Sequence, residues 1–238
     1  MKTRSSKSML LSALLLFSGS SLLFAHGNTG EAQQLSFTEN KGQWEQNILF
    51  QSDFRGGRLF LEKKNLMYVF YHPEDMANLH PHDGKVADRI RLYAVKVEMT
   101  RGNASAVEGH GEFSYRKNYF LGSDASRWAT DVKHFTEVFY RNIFPNIDLK
   151  IYSKASELKY DYVLQPGGNV SDISLKYSGA EKMSVKYGML YMELSVGTII
   201  EGRPYAYQQI NGEVIPVECQ YILRGSEVGF KVKNYNKK

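Results

Sequence analysis

From Ile48 onward, apolar and polar residues alternate, and Tyr, Phe, Val and Ile fill the apolar positions more often than Ala and Leu. Period-two alternation in β-branched and aromatic residues marks half-buried strands. The segment RLFLEKKNLMYVFYH predicts two strands around Glu62 to Asn65, and DRIRLYAVKVEM predicts one long strand with Ile90, Leu92, Ala94 and Val97 towards one side. TEVFYRNIFPNIDLKIYS gives two strands about Pro145-Asn146, and ELKYDYVLQPGGNVSDISLKYS two more about Pro166-Gly167-Gly168. MSVKYGMLYMEL is broken at Gly188, and CQYILRGSEVGFKV turns over Arg224-Gly225-Ser226. In YAYQQINGEVIPV, Asn211-Gly212 supplies the positive φ angles that a two-residue hairpin needs.

Strands at such short, regular spacing predict an all-β fold, an antiparallel β-sandwich or open barrel, either as one unit or as two packed β subdomains. Helix is confined to two short candidates, Pro73 to Leu79 and a turn from Ser123 to Ala129 capped by Ser123 or Asp124. A loose loop spans 72–88, and the softest internal boundary is at 101–111, RGNASAVEGHG.

Ahead of this region, Lys2, Arg4 and Lys7 precede an uncharged apolar run from Met9 to Ala25, the layout of a secretory signal peptide. The expected organisation is a signal at 1–25, a linker at 26–36, a β-rich domain at 37–235 and a tail at 236–238, with cleavage after Ala25 or after Ser20. Gly19 and the neighbouring serines interrupt the run and argue against a permanent anchor, and no Cys near the boundary could carry a lipid. The expected location is periplasmic or extracellular, with no membrane span after cleavage. The leader holds three of the 30 basic residues and none of the 25 acidic ones, so 27 face 25 once it is gone. A nucleic-acid partner is not expected from a balance so close to neutral, because Lys231, Lys233, Lys237 and Lys238 make the only basic cluster. The lone Cys219 alternates with Val217 and Tyr221, which predicts a structural thiol on the apolar face of a strand.

Candidate chemistry is sparse. His72, Glu74, Asp75, His80, His82 and Asp83 concentrate metal-ligand types in one loop, but a loop rich in Pro and Asp is expected to be solvated and no metal is assigned. No G-x-S-x-G elbow occurs. Gly167-Gly168 lacks the context of a phosphate loop and reads as a turn, while Glu157, Asp161 and Asp172 read as strand-surface charges. Tyr160, Tyr162, Tyr205 and Tyr207 fit either an aromatic strip or ordinary sheet positions. Arg127-Trp128 reads as a short surface helix whose Trp docks on a sheet. No catalytic, cofactor or metal residue is predicted.

The stretch FTENKGQW, Phe37 to Trp44, reads as a turn at Glu39 to Gly42 flanked by two aromatics, with Trp44 packing as a plug at the edge of the sheet formed by ILFQSDF. It resembles the opening of an uncharacterised β-rich domain at the N-terminus of large exported Bacteroidota surface proteins, often followed by SBBP β-propeller repeats or adhesion-like modules. NYFLGSDASRWATDV, FYRNIFPNIDLKIY, LKYDYVLQPGGNVSDISLKYSGAEKMSV and GRPYAYQQINGEVIPVECQYIL are similar to the same pattern in the same order. That family has no established catalytic residues, so the resemblance implies none here. Its members usually continue past VGFKV into further modules, whereas this chain stops at Lys238 without a type IX sorting domain, so a stand-alone domain and a truncated larger protein are both open readings.

The function expected from these features is a non-enzymatic exported module with a structural or adhesive role, partnered by envelope proteins or surface glycans. The alternative is a carbohydrate-binding or hydrolase accessory module using an exposed Trp or Tyr, which exposure of Trp44 or Trp128 would favour. A metal-dependent enzyme around His80 and His82 is the third reading.

Overall fold

The computed structural model describes the backbone of residues 8–18 and 77, and residues 34–76, 89–154, 157–233 and 235 in full. It is mostly β, with antiparallel pairing throughout the ladders, and its sheets are not closed.

The strands in chain order are β1 (Ser8–Ser18), β2 (Phe37–Glu39), β3 (Ile48–Phe54), β4 (Gly57–Glu62), β5 (Asn65–Tyr71), β6 (Leu92–Met99) and β7 (Ala106–Glu112). Next come β8 (Lys117–Tyr119), β9 (Ala129–Val132), β10 (His134–Phe144), β11 (Ile147–Lys154), β12 (Glu157–Leu164), β13 (Leu175–Ser178) and β14 (Lys182–Lys186). The last six are β15 (Met189–Leu194), β16 (Gly197–Glu201), β17 (Tyr205–Ile210), β18 (Glu213–Val217), β19 (Cys219–Arg224) and β20 (Glu227–Val232). Helix α1 (Pro73–Ala77) follows β5, and single 3-10 turns lie at Ala125–Arg127 and Val170–Asp172.

One layer runs β7-β10-β11-β12-β1-β17-β18, and the other runs β3-β4-β5-β6-β13-β20-β19. Strand β2 joins them by pairing with β3 and with the first residues of β10. The meander β14-β15-β16 attaches to the last third of β1. The layers meet through one apolar cluster that includes Leu59, Leu61 and Val97 from the second layer and Val138, Leu149 and Ile151 from the first. Each such residue contributes about 1.5–3 kcal/mol by burial. Tyr140 of β10 ties the layers with a polar bond as well, its hydroxyl donating to the Glu62 carbonyl at 2.9 Å.

The predicted hairpins form where the turn chemistry placed them, with Asn146 at φ 56° and Asn211 at φ 53° in the left-handed region. Asp124 caps the 3-10 turn, accepting from the Ser126 amide at 2.9 Å. One sequence expectation changes. The strand in DRIRLYAVKVEM begins only at Leu92, and its buried face is Val95, Val97 and Met99; Leu92 is 59% exposed and Ala94 is exposed. Alternation puts Val95, Val97 and Met99 on one face, which joins the core with Tyr68 of β5 and Leu175 of β13, and leaves Leu92 and Ala94 on the opposite face. In 101–111, β7 follows a short turn and pairs with β10, while the Asn103 and Ser105 amides donate to Ile143 and Arg141 carbonyls.

Candidate functional site

The turn in FTENKGQW is built around Asn40. Its Nδ2 donates to the carbonyls of Trp44 (3.3 Å), Glu45 (2.9 Å) and Ile48 (2.8 Å), and its Oδ1 accepts from the amides of Gly42 (3.0 Å) and Trp44 (3.3 Å). Gln43, fully buried, accepts from the Lys41 amide and donates to the Glu39 carbonyl, both at 2.7 Å. Phe37 enters the core, but Trp44 does not: its ring is half-buried and meets Tyr119 edge-on at 5.7 Å. The anchor of the motif is thus the Phe37 side chain with two amides, and Trp44 lies on the outer side of the turn they hold. Asn40→Ala is expected to cost about 2–3 kcal/mol, since the two amide hydrogens shared among three carbonyls and the bonds accepted by Oδ1 are all lost, at roughly 1 kcal/mol for each full bond. Asn40→Asp, which keeps the acceptor but sets a charge against three carbonyls, should cost at least as much, read from urea midpoints at unchanged slope.

The polar centre of the interior is Glu201 at the end of β16, 1% exposed. Tyr177 of β13 donates to its Oε2 at 3.2 Å, Tyr221 of β19 meets its Oε1 at 3.0 Å, and Tyr160 of β12 donates to the same Oε1. Tyr221 also lies 2.9 Å from the Gly202 carbonyl. Burial pushes the Glu201 carboxyl above the ordinary carboxylate range, while the three hydroxyls act in the opposite direction. Burial also holds Tyr160 and Tyr177 well above the usual phenol value, with Glu201 adding to the effect. Beside the carboxyl is a cavity of about 10 Å³ lined by Tyr68, Phe70, Val95, Tyr177, Met192, Ile199 and Glu201. That is room for about one water and for no substrate. The arrangement keeps a carboxyl in an apolar cage by giving it three donors, so its chemistry is cohesive.

Sequence reasoning did not single out Glu201. The signal was present in GTIIE, where alternation puts Glu201 on the same face as buried Ile199. Tyr160 and Tyr162 are buried, whereas Tyr205 is exposed, so these four tyrosines do not form one strip. Asp161 is buried, contrary to its reading as a surface charge, and it stands in register with Lys150 of β11.

A second buried polar group is His134, whose Nδ1 meets the Thr38 hydroxyl at 2.9 Å and whose ring stacks on Tyr115 at 5.1 Å. Burial, aided by Lys117 and Arg116, brings its pKa down to about 4. The unfolded imidazole takes its proton near 6.5, so the unfolded chain holds more protons between these values. Stability is therefore expected to fall as pH drops from about 6.5 towards 4. Urea melts across that window check it, and His134→Gln should lose that part of the slope.

On the surface, Trp128 is 45% exposed rather than docked on a sheet. It packs edge-on against Phe120 at 5.5 Å, and its Nε1 donates to the Gly122 carbonyl at 3.2 Å, which closes the loop upon itself. Cys219 is half-buried against the core, and burial pushes its thiol up to about 12. In the candidate metal loop, Arg91 grips both carboxylate oxygens of Asp75 at 2.8–2.9 Å, with His72 alongside; His80, His82 and Asp83 lie outside the described residues. Among the described residues no His, Cys, Asp and Glu group could hold a metal ion, and no helix is long and apolar enough to cross a membrane.

Two packed open sheets around a sealed, hydrogen-bonded carboxyl define a β-sandwich-like module. Residues 37–238 match the family described as Domain of unknown function (DUF7948), and the chain belongs to that family. No curated protein and no solved structure matches the chain.

Proposed function

We propose that the chain is an exported, non-enzymatic β module with a structural or adhesive role in the cell envelope or at the cell surface, where envelope proteins or surface glycans are its partners. The observation that carries this reading is the division of the chain. Three basic residues and an uncharged apolar run precede a β-rich unit that matches its family from Phe37 onward. The resemblance of that unit to the leading domains of large exported Bacteroidota proteins supports the same reading. Glu201, tied to three tyrosines beside a void of about one water, supports a cohesive rather than catalytic use of the interior.

The test is to express the whole chain in a Gram-negative host, fractionate the cells, weigh the recovered protein and incubate it with envelope polysaccharides. The expected product begins at His26 or Ser21, leaves the cytoplasm, and has its melting midpoint raised by envelope material without converting it. A chain that keeps Met1 in the cytoplasm, or one that cleaves the polysaccharide, overturns the reading.

A further inference from the structure

Strand β1 holds a singular place. Its residues Met9 to Leu14 pair antiparallel with Leu164 to Lys159 of β12, and Ser8 to Ser12 pair on the other side with Gln209 to Tyr205 of β17. Beyond that, Leu15 to Ser18 pair with Glu201 to Thr198 of β16. Among the described residues, β12 has only β11 as another ladder partner, β17 only β18, and β16 only β15. One strand thus joins the main layer, the β17-β18 hairpin and the β14-β16 meander. Yet β1 lies before Phe37, where the family domain starts, and inside the uncharged run read as a leader.

We propose that the domain is a strand acceptor: with the leader removed, β12 and β17 face each other across a slot about two strand spacings, roughly 10 Å, wide, and the slot takes an extended segment donated by a partner polypeptide. The proposal rests on the export reading above. Two facing rows of unsatisfied backbone donors and acceptors are a strong template for strand addition. The register defines the donor's chemistry. Its three positions opposite Leu164, Tyr162 and Tyr160 lie beside buried residues of β12, and two of them also lie beside buried Gln208 and Ala206 of β17. Those positions call for apolar or small residues, and the one held by Ser12, opposite buried Asp161, for a small polar residue, in a donor that is free of proline and antiparallel to both edges. The occupant already seen there, SMLLSALLLFS, has that composition over 11 residues.

The test uses the exported chain recovered from the host. Its mass is measured first, followed by amide hydrogen exchange with and without a synthetic peptide of residues 8–18 ending in a lysine tail. The expected result is a processed chain whose 159–164 and 205–209 amides exchange fast alone, then at least about tenfold more slowly with peptide. A Leu11→Pro peptide, lacking one donor, should give no such protection. A processed chain whose two edges are already protected, or ignore the peptide, or respond equally to the proline variant, overturns the acceptor proposal and leaves export standing. A mass that retains Met1 overturns both, because the seat then belongs to the chain's own strand.

Discussion

Replacing Glu201 by Ala is expected to destabilise the protein by about 3–5 kcal/mol, because it leaves the Tyr160 and Tyr177 hydroxyls buried without their acceptor, leaves Tyr221 only the Gly202 carbonyl, and opens a hole beside an existing void. Glu201→Gln keeps the shape and one oxygen acceptor and should stay within about 1 kcal/mol of the parent at pH 5. The two proteins then diverge with pH. The unfolded Glu loses its proton near 4.5, whereas the buried one keeps it to higher pH. Between those values the folded chain holds more protons, so the stability owed to the neutral carboxyl is full below about 4.5 and is lost as pH rises through the folded value. Glu201→Gln lacks that loss and should gain on the parent from pH 5 to pH 8. Urea melts of both proteins at the two pH values check it, and the His134 titration cancels in the comparison. A parent and variant that track each other in parallel would show that the carboxyl is ionised in its cage.

Gly179→Ala should be comparably damaging, at about 3 kcal/mol or more. Gly179 follows β13 at φ 99°, and a Cβ there would land on the backbone carbonyl of Ala94 in β6, well inside contact distance. Neither the conformation nor the neighbour can yield, since Ala94 is fixed in the ladder with β5 through Val69. Gly225→Ala is the control. That residue sits at φ 62° in the β19-β20 turn with open space around it, so only the left-handed backbone cost of about 1–2 kcal/mol applies. Thermal and urea unfolding of the two variants should separate them clearly, and equal losses would remove the role assigned to the Ala94 contact.

The sheet content and the turns were legible because their signals are local: alternation marks strands, and Asn146 and Asn211 mark hairpins wherever the rest of the chain goes. Strand order was not legible, because pairing of β2 with β10, or of β13 with β6 and β20, depends on residues far apart in sequence. The same distance hid the interior polar centre. Glu201 and its three tyrosines come from four strands, and each alone reads as an ordinary sheet residue. Strand β7 was obscured because its glycines and charges resemble a linker; Gly109 leaves room for the Phe135 ring, a requirement visible only after β10 lies beside it. Trp44 stands out by size, yet the group that holds its turn is Asn40, and Trp128 shares the closing of its loop with Asp124.

The outer strand β18 carries one more consequence. Ile210 and Glu213 flank the two-residue turn, so the ladder alternates from there and places Pro216 opposite Tyr207 at a position not bonded to β17. The nitrogen of Pro216 therefore points away from the hairpin, where any further strand would have to find a donor. With Val214 and Ile215 exposed beside it, this rim would otherwise be adhesive. The proline makes it a poor growing end, so concentrated protein should resist fibre formation along this rim, and Pro216→Thr should shorten the lag before aggregates appear.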